Sequence, residues 1–297
     1  MRISFLWYHV RQYIASIVFP LPRFLDTRFR KCYNAKNGHA RGYEKRRLFV
    51  MRVISDIKYN DLENSYVDLY LPDGVCKDLL IWFHGGGFVN LSRKSIKFAE
   101  DLTQAGVGVA SVEYRMYTQG AHFPDFLVDC ADAVKFLQDN IKNYANPRRI
   151  FISGQSAGAY AALMLAFDKT YLENAGVDRS AIAGFISDSA QTTTHFNVLK
   201  ERGVNPRLER IDDAAPLYHI SNTTELNSLL LIYYSQDVIC RPEQNKLLYQ
   251  SLHKLCPELN VQITELPGKH TYGSEHRNEK GTFDFNDTVL AFLNSIP

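Results

Sequence analysis

The sequence predicts an α/β protein in which helices cover both faces of a mostly parallel sheet of about eight strands. Short apolar runs rich in β-branched residues recur along the chain, and stretches of helical length and pattern separate them. One run, Leu79 to Phe83, is continuously apolar, as is typical of a strand buried on both faces. Strands that alternate with helices favour parallel pairing, because each helix carries the chain back across one face of the sheet.

The predicted strands start near residue 48. The first two, Leu48 to Ile54 and Tyr66 to Leu71, flank a polar turn at Asn60 to Asn64, which indicates an antiparallel start to the sheet. The buried run described above follows. The remaining strands are then predicted at Gly108 to Tyr114, Arg149 to Ser153, Ile182 to Ile186, Leu229 to Tyr234 and Val261 to Leu266.

Helical patterns occupy most of the intervals between these strands. They are predicted near Ser95 to Thr103, Phe126 to Tyr144, Ala157 to Phe167, Pro242 to Leu255 and Asp284 to Ser295. The interval Thr192 to Tyr218 is polar and too long for a plain connection, so we expect it to help form a small cap. No internal repeat or linker divides residues 46–297, which are predicted to form one domain.

Composition excludes several classes of function. The 297 residues carry a net charge of +2, and no basic run with interleaved aromatic residues is present, so no nucleic-acid partner is expected. The cysteines are odd in number and never spaced as C-x-x-C. They predict neither a disulfide framework nor a zinc site, and they favour a reducing, cytoplasmic location. No metal or other cofactor is expected.

Residues 1–45 are predicted to form an amphipathic helix followed by a loop. Residues 1–19 place apolar side chains on one helical stripe, and Pro20 ends it. Arg2 and Arg11 interrupt the apolar character, so the segment is not a transmembrane span, and it lacks the cleavage site of a signal peptide. Two alternatives stay open: the helix packs over the domain as part of a lid, or it lies on a membrane surface, to which the basic residues after Pro22 would contribute.

A strand-to-helix junction at residues 149–165 carries the first chemical motif. The apolar strand ends in Gly154-Gln155-Ser156-Ala157-Gly158, and an apolar helical stretch follows immediately. Small neighbours are needed when a serine is held on so tight a turn. Ser156 is therefore the candidate nucleophile, and the amide of Ala157 and the helix N-terminus lie where they stabilise an anion.

A second motif, Phe83-His84-Gly85-Gly86-Gly87-Phe88, directly follows the buried strand. Consecutive glycines at a strand end expose backbone N–H groups, which can hold an oxyanion. The motif is informative because it occurs together with G-x-S-x-G, since the two supply the two halves of one oxyanion hole.

Two further side chains complete a candidate triad. Asp237 follows the strand that comes second after the nucleophile strand, and a carboxylate there can orient an imidazole. Asp188, at the end of the preceding strand, is the rival with the weaker position. His270 follows the last predicted strand and precedes the last helix, so it returns to the carboxyl edge of the sheet. His84 has a structural explanation in the glycine-rich loop.

The order of these motifs resembles one branch of a known superfamily. HGGGF, then Val112-Glu113-Tyr114-Arg115, GQSAG, Asp237 and His270 resemble the esterase and lipase branch of the α/β-hydrolases, which includes hormone-sensitive-lipase-like carboxylesterases and kynurenine-formamidase-like enzymes. The resemblance covers residues 45–297. It implies that Gly86, Gly87 and Ala157 donate to the oxyanion. Two positions differ from the esterase pattern: Met116-Tyr117-Thr118 replaces the usual Leu-Ala-Pro, and Gln155 replaces the usual Asp.

The resemblance implies a metal-free serine hydrolase that cleaves carboxylic esters of small to medium size. An arylformamidase or amidase would use the same residues, and an acyltransferase would differ only in what reaches the acyl-enzyme first. A non-catalytic receptor on the same fold is a third class, since gibberellin receptors resemble these esterases but lack the histidine. The presence of His270 favours an enzyme. The expected partner is a small-molecule ester, and the sequence predicts no oligomeric state.

Overall fold

The structure is a computed structural model that describes residues 51–221 and 225–296. The predicted N-terminal helix and loop, residues 1–45, lie outside the described residues, as does the start of the first predicted strand. None of the described helices combines the length and the apolar character needed to cross a bilayer.

The described residues contain a sheet of eight strands in the order β1-β2-β4-β3-β5-β6-β7-β8. The strands are β1 (Met51–Lys58), β2 (Tyr66–Pro72), β3 (Asp78–Phe83), β4 (Val107–Val112), β5 (Arg149–Gln155), β6 (Ile182–Asp188), β7 (Ser228–Gln236) and β8 (Asn260–Lys269). The β1–β2 and β2–β4 pairs are antiparallel, and the five other pairs are parallel. The predicted fold class is confirmed.

The parallel strands are buried because helices cover both faces. Every residue of β3 is buried, as its apolar run predicts, and β3 lies between β4 and β5. The helices are α1 (Ala99–Gln104), α2 (Asp125–Asn140), α3 (Ala157–Phe167), α4 (Lys169–Asn174), α5 (Phe196–Glu201), α6 (Pro216–His219), α7 (Arg241–Leu255), α8 (Tyr272–Glu275) and α9 (Asp284–Ser295).

Two apolar clusters make up the core. The first contains residues of α2, α3 and α7, and the second contains residues of α1 and α9 together with Trp82. All eleven residues of α3 are buried, because the helix is apolar on every side and is covered by the sheet as well as by neighbouring helices. The helix that begins at the candidate nucleophile is thus enclosed by the core.

Some predicted boundaries are shifted. Helix α1 begins at Ala99 rather than Ser95, because Arg93–Ser95 form a separate 3-10 turn to which the side chain of Ser92 supplies an N-cap. Helix α2 ends at Asn140, and a 3-10 turn over Ile141–Asn143 replaces its predicted last turn.

The interval from Thr192 to Tyr218 forms the compact connection between β6 and β7. It contains α5 and most of α6, and buried hydroxyl groups tie its parts together. Thr194 Oγ1 donates to Asp212 Oδ1 at 2.6 Å, and Thr193 Oγ1 donates to Glu209 Oε2 at 2.8 Å. This connection is the small cap, and its residues form one wall of the cleft described below.

Candidate active site

Ser156 lies on the sharp turn between β5 and α3. Its backbone has φ 53° and ψ −111°, a conformation that non-glycine residues rarely adopt. Backbone hydrogen bonds hold the turn on both sides: Ser156 N donates to Asp188 O at 2.8 Å, and Tyr160 N donates to Ser156 O at 2.9 Å. The surrounding structure therefore enforces the strained conformation that presents the side chain.

The two glycines of G-x-S-x-G are required by close backbone approach. A Cβ atom on Gly158 would lie 2.1 Å from the carbonyl oxygen of Phe83, and one on Gly154 would lie 2.3 Å from the backbone of Gly158. These contacts bring the start of α3 directly against the end of β3. The glycine-rich loop that follows β3 is consequently adjacent to Ser156.

The structure brings the three candidate catalytic side chains together. His270 Nε2 lies 2.9 Å from Ser156 Oγ, and His270 Nδ1 lies 2.5 Å from Asp237 Oδ1. Strand β5 leads to Ser156, β7 to Asp237 and β8 to His270, and the carboxyl ends of parallel strands meet at one edge of the sheet. A serine, an imidazole and a carboxylate hydrogen-bonded in this order can activate the hydroxyl for nucleophilic attack.

Ser189 is a further member of this hydrogen-bond network. Its hydroxyl donates to Asp237 Oδ2 at 2.5 Å and lies 2.9 Å from His270 Nδ1. Its backbone φ is 60°, in the left-handed region. Ser189 could not be selected from the sequence, because only the strand order of the structure shows that β6 lies between the strands that lead to Ser156 and to Asp237.

The carboxyl group of Asp237 is ionised more readily than an ordinary aspartic acid. Burial opposes ionisation, but the hydrogen bond and charge of His270 and the donated bonds from Ser189 and Val238 N outweigh it. The pKa of Asp237 is therefore lowered from its ordinary value. A carboxylate in this state can hold the imidazole by Nδ1 and stabilise it when it is protonated.

Asp188, the alternative candidate for the acid of the triad, has a structural role. Its side chain is fully buried and accepts hydrogen bonds from Tyr234 OH at 2.8 Å and from Ser274 Oγ at 2.5 Å. Burial raises the pKa of Asp188 to about 6, in spite of these two donors. Its carboxylate thus joins β6, β7 and α8, whereas Asp237 is the acid that contacts the imidazole.

The glycine-rich loop has backbone conformations that require glycine. Gly86 has φ 98° and Gly87 has φ 64°, and a Cβ atom on Gly86 would lie 2.0 Å from Asn90 O. Asn197 Nδ2 of α5 donates to Gly87 O at 2.6 Å and fixes the loop against the cap. Both glycines line the same cleft as Ser156, and Ala157 is the first residue of α3.

His84 is part of the support for this loop. Its ring stacks on Tyr114 with the centroids 4.3 Å apart, and its Nδ1 lies 2.8 Å from Gly85 O. The hydroxyl of Tyr114 donates to His84 O at 2.5 Å. The histidine is buried, and these contacts agree with the structural role expected for it.

Gln155, which occupies a position where Asp is usual, connects the nucleophile turn to α8. Its Nε2 donates to Ser274 Oγ at 2.9 Å and to Glu275 Oε1 at 3.3 Å. Helix α8 begins two residues after His270. Gln155, which precedes Ser156, is therefore hydrogen-bonded to the helix that follows His270.

The candidate site opens into a cleft of about 1030 Å³. Ser156, His270 and the two glycines line it together with residues of the cap. The loop after Asp237 contributes exposed apolar side chains at the rim, and Ile239 is 91% exposed. Within the described ranges, no group of three or more His, Cys, Asp or Glu side chains is arranged to hold a metal ion.

Solved structures of other proteins have a sheet of the same architecture. Esterase B from Lactobacillus rhamnosis superposes with a TM-score of 0.67 at 17% identity, over 83% of this chain and 87% of that one. An esterase from Thermogutta terrifontis gives 0.65 at 17% identity, over 83% and 92%. The fold is that of the α/β-hydrolases.

Residues 67–252 match the family model described as BD-FAE, and the chain belongs to that family. A probable isoprenylcysteine alpha-carbonyl methylesterase from Oryza sativa subsp. japonica is 28% identical over 133 residues, 43% of this chain and 32% of that protein. Kynurenine formamidase from Danio rerio is 32% identical over 125 residues, 41% of each chain. The matched segment spans about a third of the length of the plant methylesterases.

Proposed function

We propose that the protein is a serine hydrolase that cleaves carboxylic esters of small to medium size through an acyl-enzyme. The observation that carries the proposal is the position of His270, whose two ring nitrogens lie 2.9 Å from Ser156 Oγ and 2.5 Å from Asp237 Oδ1. Relatives named as methylesterases and as a neutral cholesterol ester hydrolase support the reaction type.

Each side chain has one task in this mechanism. Ser156 Oγ attacks the ester carbonyl carbon while His270 Nε2 takes its proton, and Asp237 holds the imidazole by Nδ1. The amides of Gly86, Gly87 and Ala157 would bind the oxygen anion of the tetrahedral intermediate. The proton then passes from His270 to the departing alcohol. Water, deprotonated by the same imidazole, releases the carboxylic acid and restores Ser156.

Replacement of the nucleophile tests the proposal. Ser156→Ala should reduce the kcat for p-nitrophenyl esters by a factor on the order of 10⁴ or more, because the nucleophile of a triad cannot be substituted by its partners. Ser295→Ala, at the exposed end of α9, makes the same chemical change far from the cleft and should keep wild-type kcat. Near-normal turnover by a Ser156→Ala protein with an unchanged melting temperature would contradict the mechanism.

Arylformamide hydrolysis is the second candidate function. The kynurenine formamidase segment from Danio rerio is 32% identical to this chain, and the same triad would serve an N-formyl bond. Assay of N-formylkynurenine beside p-nitrophenyl acetate decides between the two. A kcat/KM for the formamide above that for the ester would favour the second candidate.

A further inference from the structure

We propose that Arg241 binds an anionic group of the substrate, so that the preferred esters of this protein carry a carboxylate or a similar negative charge. The proposal deepens the ester hydrolysis proposed above by naming a substrate class. It concerns the wall of the same cleft, at a residue outside the triad and the oxyanion loop.

Arg241 is the first residue of α7 and follows the loop that carries Asp237. Its side chain lines the cleft together with Ser156 and His270, although only 6% of the residue is exposed. Nη1 donates to the backbone oxygen of Ser189 at 2.7 Å, which fixes the guanidinium beside the triad. The residue is therefore almost buried, held in place by a hydrogen bond, and part of the wall of the cleft.

The guanidinium lacks the partners that a buried cation normally has. Nε is buried without a hydrogen-bond partner, and no bond to Nη2 is found among the described residues. No described carboxylate lies within ion-pair distance of the group. Burial lowers the pKa of Arg241 to about 10, although Asp237 and Glu209 act to raise it, so the side chain is charged at neutral pH. A buried charge without a paired partner is costly, and an anion that reached Nη2 from the cleft would supply that partner.

The charged residues that line the cleft are positive on balance, since Lys200, Arg207 and Arg241 outnumber Glu209 and Glu275. Asp237 is engaged by His270 and Ser189, and Glu209 accepts hydrogen bonds from Thr193 and Gln244. Glu275 accepts bonds from Gln155 and Thr271, so each of these carboxylates has partners of its own. Lys200 and Arg207 add positive charge to the same walls.

His195 does not add positive charge beside Arg241. Its side chain is fully buried, and burial together with the charge of Arg241 lowers its pKa to about 3. The imidazole is thus neutral at the pH of an assay. Arg241 is consequently the buried cation that would meet a ligand anion within the described part of the cleft.

Two matched pairs of esters test the proposal. Mono-p-nitrophenyl glutarate and p-nitrophenyl pentanoate differ by a carboxylate on the acyl side, and 4-acetoxybenzoate and p-tolyl acetate differ by one on the alcohol side. We expect wild-type kcat/KM to favour the anionic member of at least one pair. Arg241→Gln should lower that ratio by about 10- to 100-fold, since it removes a charge-assisted hydrogen bond. Arg241→Lys should retain part of the preference.

Lys200→Gln is the matched control, because it removes one positive charge from an exposed position on the same cleft. It should change the ratio by less than about twofold, since exposed charges are screened by solvent. Equal losses for both members of each pair in Arg241→Gln would overturn the proposal and leave Arg241 as a positioning residue for Ser189. Preference of the wild-type protein for the neutral member of both pairs would also overturn it.

Binding measurements on the wild-type protein cover the case in which Arg241→Gln does not fold. By calorimetry, the anion of glutaric acid monoamide should bind at least about tenfold more tightly than neutral pentanamide, or 4-hydroxybenzoate more tightly than p-cresol. Equal affinities within both pairs would overturn the proposal. Because these measurements need no turnover, a protein that binds the anion but cleaves no ester would contradict the proposed function and leave the anion site standing.

Discussion

Two aspartates at adjacent strand ends have opposite electrostatic behaviour. Asp237 accepts donors that include the imidazole, and its pKa is lowered. Asp188 has two neutral hydroxyl donors and complete burial, and its pKa is raised to about 6. Position along the chain favoured Asp237 over Asp188, but both lie at strand ends on the same edge of the sheet, and position gave no account of their ionisation. The donors that surround each carboxylate determine which one serves the base.

The raised pKa of Asp188 predicts a pH-dependent stability. The unfolded chain loses this proton near the ordinary value of 3.8 and the folded protein near 6, so stability is lost as the pH rises from about 4 through about 6. The difference between the two pKa values corresponds to a total loss of about 3 kcal/mol in the free energy of unfolding. Asp188→Asn removes the ionisation, and its amide can still accept from Tyr234 and donate to Ser274.

Urea unfolding of both proteins at pH 4.5 and pH 7 measures this effect. The free energy of unfolding of Asp188→Asn should increase relative to the wild type by about 2 kcal/mol between these pH values, because part of the total effect is already present at pH 4.5. The contributions of other titrating groups are the same in both proteins, so they cancel in the difference between the two free energies. A difference between the two proteins that does not vary with pH would show that the carboxyl group has an ordinary pKa in the folded state.

Residue types and their order along the chain were sufficient to propose Ser156, Asp237 and His270, which the structure brings within hydrogen-bonding distance. Ser189 and Arg241 were missed because their contacts depend on side-chain packing. A serine after a strand and an arginine at a helix start are common in any sequence, and only the three-dimensional structure shows that one bonds Asp237 and the other lines the cleft.

At the scale of elements, the junction of β5, α3 and β3 depends on the absence of a side chain at residue 158. A methyl group there would lie 2.1 Å from Phe83 O, in a part of the core that is fully buried. Gly158→Ala should therefore lower the free energy of unfolding by more than about 3 kcal/mol or prevent folding, as overpacking against backbone does.

Gly74→Ala is the matched control for this substitution. Its added methyl group meets nothing within 4 Å, and the free energy of unfolding should change by less than about 0.5 kcal/mol. Denaturant titration of the two variants gives the comparison. A Gly158→Ala protein as stable as Gly74→Ala would show that α3 can move away from β3.

The pattern of apolar residues located most elements but did not define their ends. Strand β7 continues to Gln236, past the predicted end at Tyr234, because backbone pairing with β8 extends beyond the apolar run. Short helices such as α4, α6 and α8 carry too few residues to show a helical period. Tertiary packing, rather than intrinsic propensity, accounts for them: α4 packs against α2 and α3, α6 against α3, and α8 against β8.

At the scale of the whole molecule, the remaining prediction concerns the N-terminal segment, residues 1–19. The sheet and the candidate triad lie among the described residues, so deletion of residues 1–19 should preserve cleavage of acetate esters. If the predicted amphipathic helix covers the active-site rim, the truncated protein should lose selectivity for long acyl chains. If it lies on a bilayer, adsorption to lipid vesicles should vanish instead.

Chain-length profiles of p-nitrophenyl esters and co-sedimentation with vesicles separate these two outcomes. The full-length chain is the reference in both assays, and melting temperature reports whether the truncation affects folding. Unchanged selectivity, vesicle adsorption and stability would contradict both roles for the helix.

The hydrogen bonds of Gln155 restrict which residues can be substituted at positions 155 and 275. Its amide donates toward Glu275, one turn beyond the loop that carries His270. An aspartate at position 155, which the esterase pattern would supply, would face the carboxylate of Glu275 and repel it. A neutral donor at position 155 is thus compatible with the carboxylate at position 275. In chains with an acid before the nucleophile, we expect a neutral or basic residue at the position of Glu275, so that substitution on one side is accompanied by substitution on the other.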